Sequence, residues 1–396
     1  MRAEAVLRAA ADAVDPDDVL RIARALIAAP SENPGATEEL PAAVASEVLA
    51  DLGAEPSIVR SEEGRPNVVA SIGAGAGPSL AWNGHLDVVP AGDPQTWTHD
   101  PWAGIVEDGR LIGRGSVDMK GGIAAALAAA CGLRRAGIDL AGALTFHLVA
   151  DEEVGGIHGT RVLHARGLLT QDACVVGEPS ELRLGLAQRG GAWLTAIAHG
   201  RAAHGSQPDR GVNAITAMSR FLLRLPEALP DLEHPLVGRP TVNAALIAGG
   251  SGPNVVPDRC EVDIDRRILP GETDPEAVRA PFARLVERLR SEHPEVEIEV
   301  ELREWSDAAE APPDDRVAML ARAAVAAETG HDPADVGFTG ITDARFYLND
   351  ASIPSVILGP GSLSVAHSAD ESVAVDELVT AARVYARLFV AFCGAA

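Results

Sequence analysis

The stretch ALTFHLVADEEVGG, Ala143 to Gly156, decides how the rest of the chain is read. Leu144 to Ala150 is a short, unbroken apolar run of the kind that forms a buried strand. It stops on three consecutive acids, Asp151, Glu152 and Glu153. In an α/β sheet, ligands gather where strands end at their carboxyl side. Three carboxylates there raise the question of what neutralises them.

Outward from this strand, the sequence alternates helix and strand. DPDDVLRIARALIAAP opens with Asp15 as an N-cap and Pro16 at the first helical position. A second helix is predicted from Glu38 to Leu52, followed by the strand-like PNVVASIG and PSLAWNGHLDVV. The glycine-rich GRGSVDMKGG leads into an alanine-rich helix ending near Arg135. A helix over Thr160 to Arg166 and the strand DACVVGEPS follow the opening stretch. This order points to an α/β sandwich.

Near Leu186 the texture changes. GAWLTAIAHG, a helix over Asn213 to Leu225, TVNAALIAGG, RCEVDIDRRI, a helix from Asp274 to about Glu292 and EVEIEVEL give a β-α-β-β-α-β order. That is the order of a ferredoxin-like α+β domain. After EAPPDD the first texture resumes and ends in a helix over Val375 to Phe392. The expected organisation is one α/β domain, residues 1–186 and 304–396, interrupted by a smaller α+β domain, residues 187–303.

Composition narrows the function. The 396-residue chain carries a formal net charge of −24, which argues against nucleic acid or an anionic membrane as partner. No stretch is apolar and long enough to span a bilayer, and the acidic, alanine-rich start has none of the features of a signal peptide. The four cysteines are widely separated and fit free thiols in a cytoplasmic protein. Lys120 is the single lysine.

Other polar residues sit at expected strand ends: His85 and Asp87 in SLAWNGHLDVVP, Asp118 in LIGRGSVDMKGG, Glu178 in CVVGEPS, and His367 in SVILGPGSLSVAHSADES. Acids gathered without basic partners repel one another, and divalent cations relieve that repulsion. A mixed imidazole and carboxylate set suits zinc, with cobalt and manganese as alternatives. His85 and Asp87 share a strand face, so the Asp87 carboxylate can accept the second ring N–H of His85 and fix its tautomer. His99 and the other histidines lack such a context.

NGHLDVVP, LIGRGSVDMKGG, VADEEVGG, VGEPS, GRAAHGSQPDRGVNAI, PNVVPDRCEVDIDRRILPGE and GPGSLSVAHSADE occur in the order seen in the acetylornithine deacetylase / succinyl-diaminopimelate desuccinylase family of di-zinc metallopeptidases, to which aminoacylases, dipeptidases and carboxypeptidases are related. The resemblance covers the chain from about Leu20 onward. It implies an α/β/α zinc-peptidase catalytic domain carrying an inserted lid and dimerisation domain. It implies two divalent ions, with Asp118 bridging both, His85 and Glu178 completing one site, and Glu153 and His367 the other. Glu152 resembles the general base, Asp87 a catalytic partner of His85, and the Asp118–Met119 peptide bond is expected to be cis. His204 resembles a histidine that stabilises the oxyanion from across a homodimer. Asn254, Arg267 and Arg345 match substrate-binding positions, Arg345 as a carboxylate clamp. Trp102 and Ile341 depart from residues frequent in relatives.

The activity so implied is hydrolysis of the amide of an N-acyl amino acid, such as N-acetylornithine or N-succinyl-diaminopimelate, by a metal-bridged water activated by Glu152. A dipeptidase or carboxypeptidase using the same site is the alternative. A non-catalytic relative is disfavoured because none of the metal-binding and base positions is lost. A di-metal phosphoesterase is disfavoured because GRGSVDMKGG lacks a phosphate-cradling pattern.

Overall fold

The computed structural model describes residues 2–73 and 75–396. The chain separates into two compact units, residues 1–186, 311–336 and 342–396 in the first, and 187–310 with 337–341 in the second. The expected boundary at 303 falls inside a strand, Glu297–Ser306, whose pairing with Gly190–His199 runs on to Ser306 opposite Gly191. Ala309 and Glu310 then pair with Gln188 and Ala187. Residues 337–341 also return to the second unit, where Gly337 lies so close to the Leu236 carbonyl that a Cβ would sit 2.4 Å from it.

The first unit is built on a mixed sheet. Ala143–Val149, Ser79–His85, Ala173–Val176 and Ser355–Ile357 lie side by side and parallel. Pro66–Ile72 and Ser57–Arg60 extend one edge in antiparallel fashion. In the central pair His85 stands opposite Val149, so both strands finish at the same level. Alternate side chains leave the sheet on opposite faces. Trp82 and Phe146 on one face meet Tyr385 and Phe389 of the helix Val375–Cys393. Asn83 and His147 on the other face bond Thr160 of the helix Thr160–Ala165 and Tyr347 of the π-helical segment Phe346–Asp350. Each face is therefore covered, giving the α/β/α layering.

The predicted Asp15 cap accepts from the Asp17 amide, with Pro16 opening the helix Pro16–Ile27. A helix over Arg2–Asp12 precedes it and was not expected. The alanine-rich helix, Lys120–Arg135, is buried along most of its length. Its Gly122 meets the backbone of Gly177, where a Cβ would come within 2.7 Å of the carbonyl oxygen. That approach sets the start of the helix against the strand end that carries Glu178.

The second unit has an antiparallel sheet in the order Thr241–Gly249, Arg259–Ile268, Gly190–His199, Glu297–Ser306. The helices Ala214–Leu222 and Pro275–Glu292 supply Met218, Phe221, Phe282 and Leu285 to a core with Leu194, Val262 and Ile264. This is the ferredoxin-like arrangement. Among the described residues no helix is long and apolar enough to cross a membrane.

Candidate metal centre

Asp118 lies at the middle of the strand-end cluster. Its Oδ1 is 3.0 Å from Nε2 of His85, which is itself 3.7 Å from Oε1 of Glu178. Its Oδ2 is 3.2 Å from Nε2 of His367, and that nitrogen is 3.2 Å from Oε2 of Glu153. The two carboxylate oxygens thus face two different sets, His85 with Glu178 and His367 with Glu153, each with donor atoms within 4.8 Å of one another. The Asp118–Met119 peptide bond is cis.

The three acids of the opening stretch divide at a turn. Asp151 takes a left-handed conformation with φ of 69°, Glu152–Val154 forms a 3₁₀ turn, and Gly155 and Gly156 close it with positive φ. Asp151 accepts hydrogen bonds from Asn33 Nδ2 and the His158 amide, a structural role. Asp87 does not hold the His85 ring mainly through its carboxylate. The ring Nδ1 donates to the Asp87 backbone carbonyl at 2.9 Å, and Oδ1 is farther, at 3.5 Å. The carboxylate instead accepts the amides of Glu152 and Glu153, capping the 3₁₀ turn. It is drawn there because those amides have no partner within the turn.

Electrostatics bears on what the cluster can hold. Burial, followed by repulsion from Asp118, pushes the Glu178 carboxyl well above its usual range. Burial does the same to Glu152, with Asp343 and Glu153 adding repulsion. His367, hydrogen-bonded to Asp118 and Glu153, is pushed up to about 10. Burial opposes the charged form of His85, but the Asp118 and Asp87 contacts outweigh it and hold its pKa well above the ordinary imidazole value. Acids packed this closely repel one another, and a divalent cation would relieve that repulsion. A donor set of two imidazoles and three carboxylates, with one carboxylate facing both ways, fits two divalent ions.

The other expected residues fall elsewhere. Arg345 is buried, and its Nη atoms donate to the carbonyls of Thr342 and Gly155 while the guanidinium lies 4.3 Å from the Phe346 ring centroid. It braces the turn that follows Glu152 and Glu153 through two of its five N–H groups. His99 is at the surface beside Glu107. In the second unit His204 and Asn254 are neighbours: His204 bridges Val255, and the Gly205 amide donates to the Asn254 carbonyl. Arg267 stands opposite Gly191, at the start of the strand whose far end leads to His204. Eight residues of strand, ~26 Å at ~3.3 Å each, separate those levels. Within the unit, then, Arg267 is not gathered with His204 and Asn254.

Sequence reading missed three residues that support the cluster. Asn33 donates to both Asp87 and Asp151. Arg114 and Glu371 form a fully buried ion pair beside Asp118. Buried charge could have flagged Arg114 and Glu371, but burial at these positions is visible only in the folded chain.

With this geometry in hand, comparison with known proteins places the chain. The model of the peptidase family M20/M25/M40 matches residues 81–391. The chain belongs to this family. It is an amide-bond hydrolase in consequence. Within the family, it is 34% identical over 336 residues to a succinyl-diaminopimelate desuccinylase of Paracoccus denitrificans, covering 82% of this chain and 86% of that one. It is 34% identical to an acetylornithine deacetylase of Myxococcus xanthus, covering 81% and 82%. Its fold is similar to that of human carnosine dipeptidase 1, with a TM-score of 0.79 at 19% identity over 98% of this chain and 99% of that one.

Proposed function

We propose that the chain removes an acyl group from an N-acyl amino acid, using two divalent ions, most simply Zn2+, held by His85, Asp118 and Glu178 and by Asp118, Glu153 and His367. The observation that carries this reading is the Asp118 carboxylate, whose two oxygens face two separate imidazole and carboxylate sets. The substrate class rests on the desuccinylase and deacetylase relatives.

When bound, two such ions polarise a substrate carbonyl and lower the pKa of water. The chain's own residues do the rest. Glu152 belongs to neither ligand set, and its burial favours holding a proton. Its carboxylate takes the proton from the attacking water and later delivers it to the leaving nitrogen. Asp87 fixes the Glu152–Glu153 turn through its carboxylate and the His85 ring through its carbonyl. Arg345 holds the far side of that turn, and its remaining N–H groups are suited to a substrate carboxylate.

In this reading His204 and Asn254 come from a partner subunit to the oxyanion and substrate, while Arg267 of the same chain binds the substrate's charged end. Their separation along the sheet of the second unit supports the division. A homodimer is favoured by the edge strand Thr241–Gly249, which leaves Leu246 67% and Ile247 62% exposed. A cytoplasmic location accords with four free cysteines.

The test is a panel of N-acetyl and N-succinyl amino acids and dipeptides, assayed with Zn2+ or Co2+ and after chelation. Hydrolysis of N-acyl amino acids that chelation abolishes is the expected result. Full activity in rigorously metal-free protein would overturn the reading, and turnover confined to dipeptides would redirect it to peptidase action.

A further inference from the structure

We infer that the buried Arg114–Glu371 pair is a positioning device that sets Asp118 and His367 relative to each other, and so governs one of the two proposed metal positions more than the other. The inference rests on the di-metal reading above.

The pair is a junction of three separate segments. One carboxylate oxygen of Glu371 accepts the amides of Val117 at 2.8 Å and Asp118 at 3.1 Å. The other accepts Nη1 of Arg114 at 2.6 Å. Nη1 also donates to the carbonyl of Ser368, the residue after His367, at 3.2 Å. Nη2 reaches the carbonyl of Pro90, five residues after His85, at 3.4 Å. The Glu371 carbonyl in turn accepts the Gly113 amide and the Ser116 hydroxyl. Trp97 covers the guanidinium at 5.2 Å. Arg114 is 2% exposed and Glu371 is fully buried.

The chemistry of the contacts demands these side chains. Every group facing the Glu371 carboxylate is a donor, two amides at one end and a guanidinium at the other. An amide side chain has one acceptor end and one donor end. Glutamine at 371 would therefore turn an NH2 against donors whichever way it faced. Lysine at 114 is a single point charge and cannot hold carbonyls of two segments and a carboxylate in fixed directions as a planar fork does. A buried ion pair adds little net stability over an apolar substitute. What this one adds is direction: Asp118 is fixed through its own amide and His367 through its neighbour's carbonyl. His85 is additionally fixed by strand pairing and by the Asp87 carbonyl, so it depends on the pair least.

The test is a calorimetric Zn2+ titration of the metal-free full chain, with thermal unfolding to confirm folding, for the wild type, Glu371→Gln, Arg114→Lys and His367→Ala. The wild type is expected to bind two equivalents in two steps, and His367→Ala identifies the step that uses His367. In Glu371→Gln that same step should weaken about 10–100-fold, the usual effect of losing a group that orients a ligand. The other step should hold within about threefold, and Arg114→Lys should shift in the same sense by less. If Glu371→Gln does not fold, Arg114→Lys decides by the same pattern. Two unchanged steps in a folded variant, or two steps weakened equally, would overturn the inference. A wild type that does not bind two equivalents would instead bring down the di-metal reading, and that failure shows before any variant is made.

Discussion

The two halves of the cluster share Asp118 and little else. His85 and Glu178 are 1% and 3% exposed, and both sit where paired parallel strands end. Glu153 rides on a 3₁₀ turn, and His367 has a positive φ of 62° in an irregular segment with its side chain 49% exposed. One half is fixed by the sheet. The other is assembled from turns, held by Asp87 under Glu153 and by the anchors flanking His367. Ligands on rigid elements hold geometry better than ligands on loops, while loops open more readily. The sheet-built half should retain its ion, and the loop-built half should exchange it.

The severest break of this comparison is Asp118→Asn, which removes the shared carboxylate. Metal analysis should fall well below two equivalents, with affinity losses exceeding the about 10–100-fold expected for an outer hydrogen-bonding partner. Amide hydrolysis should drop to background. Retention of one tight equivalent would show that the halves do not depend on a common ligand.

Glu152→Gln sharpens the comparison from the outside, since Glu152 serves neither half. Two equivalents should remain bound while kcat falls by about 10²–10⁴, the range for a general base. A variant with full kcat and full metal content would remove Glu152 from the base role.

His367→Ala should leave one equivalent that resists chelation, whereas His85→Ala should disturb both. Timed release into a chromogenic chelator reads the difference. Equal release from both variants would erase the distinction drawn between sheet and loop.

The smallest effect is one of pH in the metal-free protein. Hydrogen bonds to Asp118 and Glu153 push His367 up to about 10, above the 6.5 of an ordinary imidazole. A raised pKa gives stability that is fully present below about 6.5 and is lost as pH rises through about 10. With chelator present, the unfolding-temperature gap between wild type and His367→Ala should narrow from pH 6.5 toward pH 10. A gap that stayed constant over that window would mean His367 carries no such bond in solution.

Much of this was legible in the sequence because it was local. The strand ending at Val149, the Asp15 cap and the Gly-Gly after Lys120 each announce themselves within a few residues. So do His85, Asp118, Glu153, Glu178 and His367, as polar groups where apolar runs stop. What stayed hidden was long-range. Arg114 and Glu371 are 257 positions apart, and nothing near either one signals the other. The left-handed turn at Asp151, which sets the directions of Glu152 and Glu153, also went unread. Arg345 read as a free fork, and only the fold shows that it also donates to the backbone carbonyls of Thr342 and Gly155.

Lys120 gives the molecule an unplanned gauge. Its amine is fully buried, donates to the Ala29 carbonyl at 2.7 Å and is lowered by burial to about 7. As the single lysine, it offers a lysine-specific endoproteinase one cut, closed in the folded chain. Scission into two fragments would therefore clock the opening of the helix start just after Asp118, with no label attached.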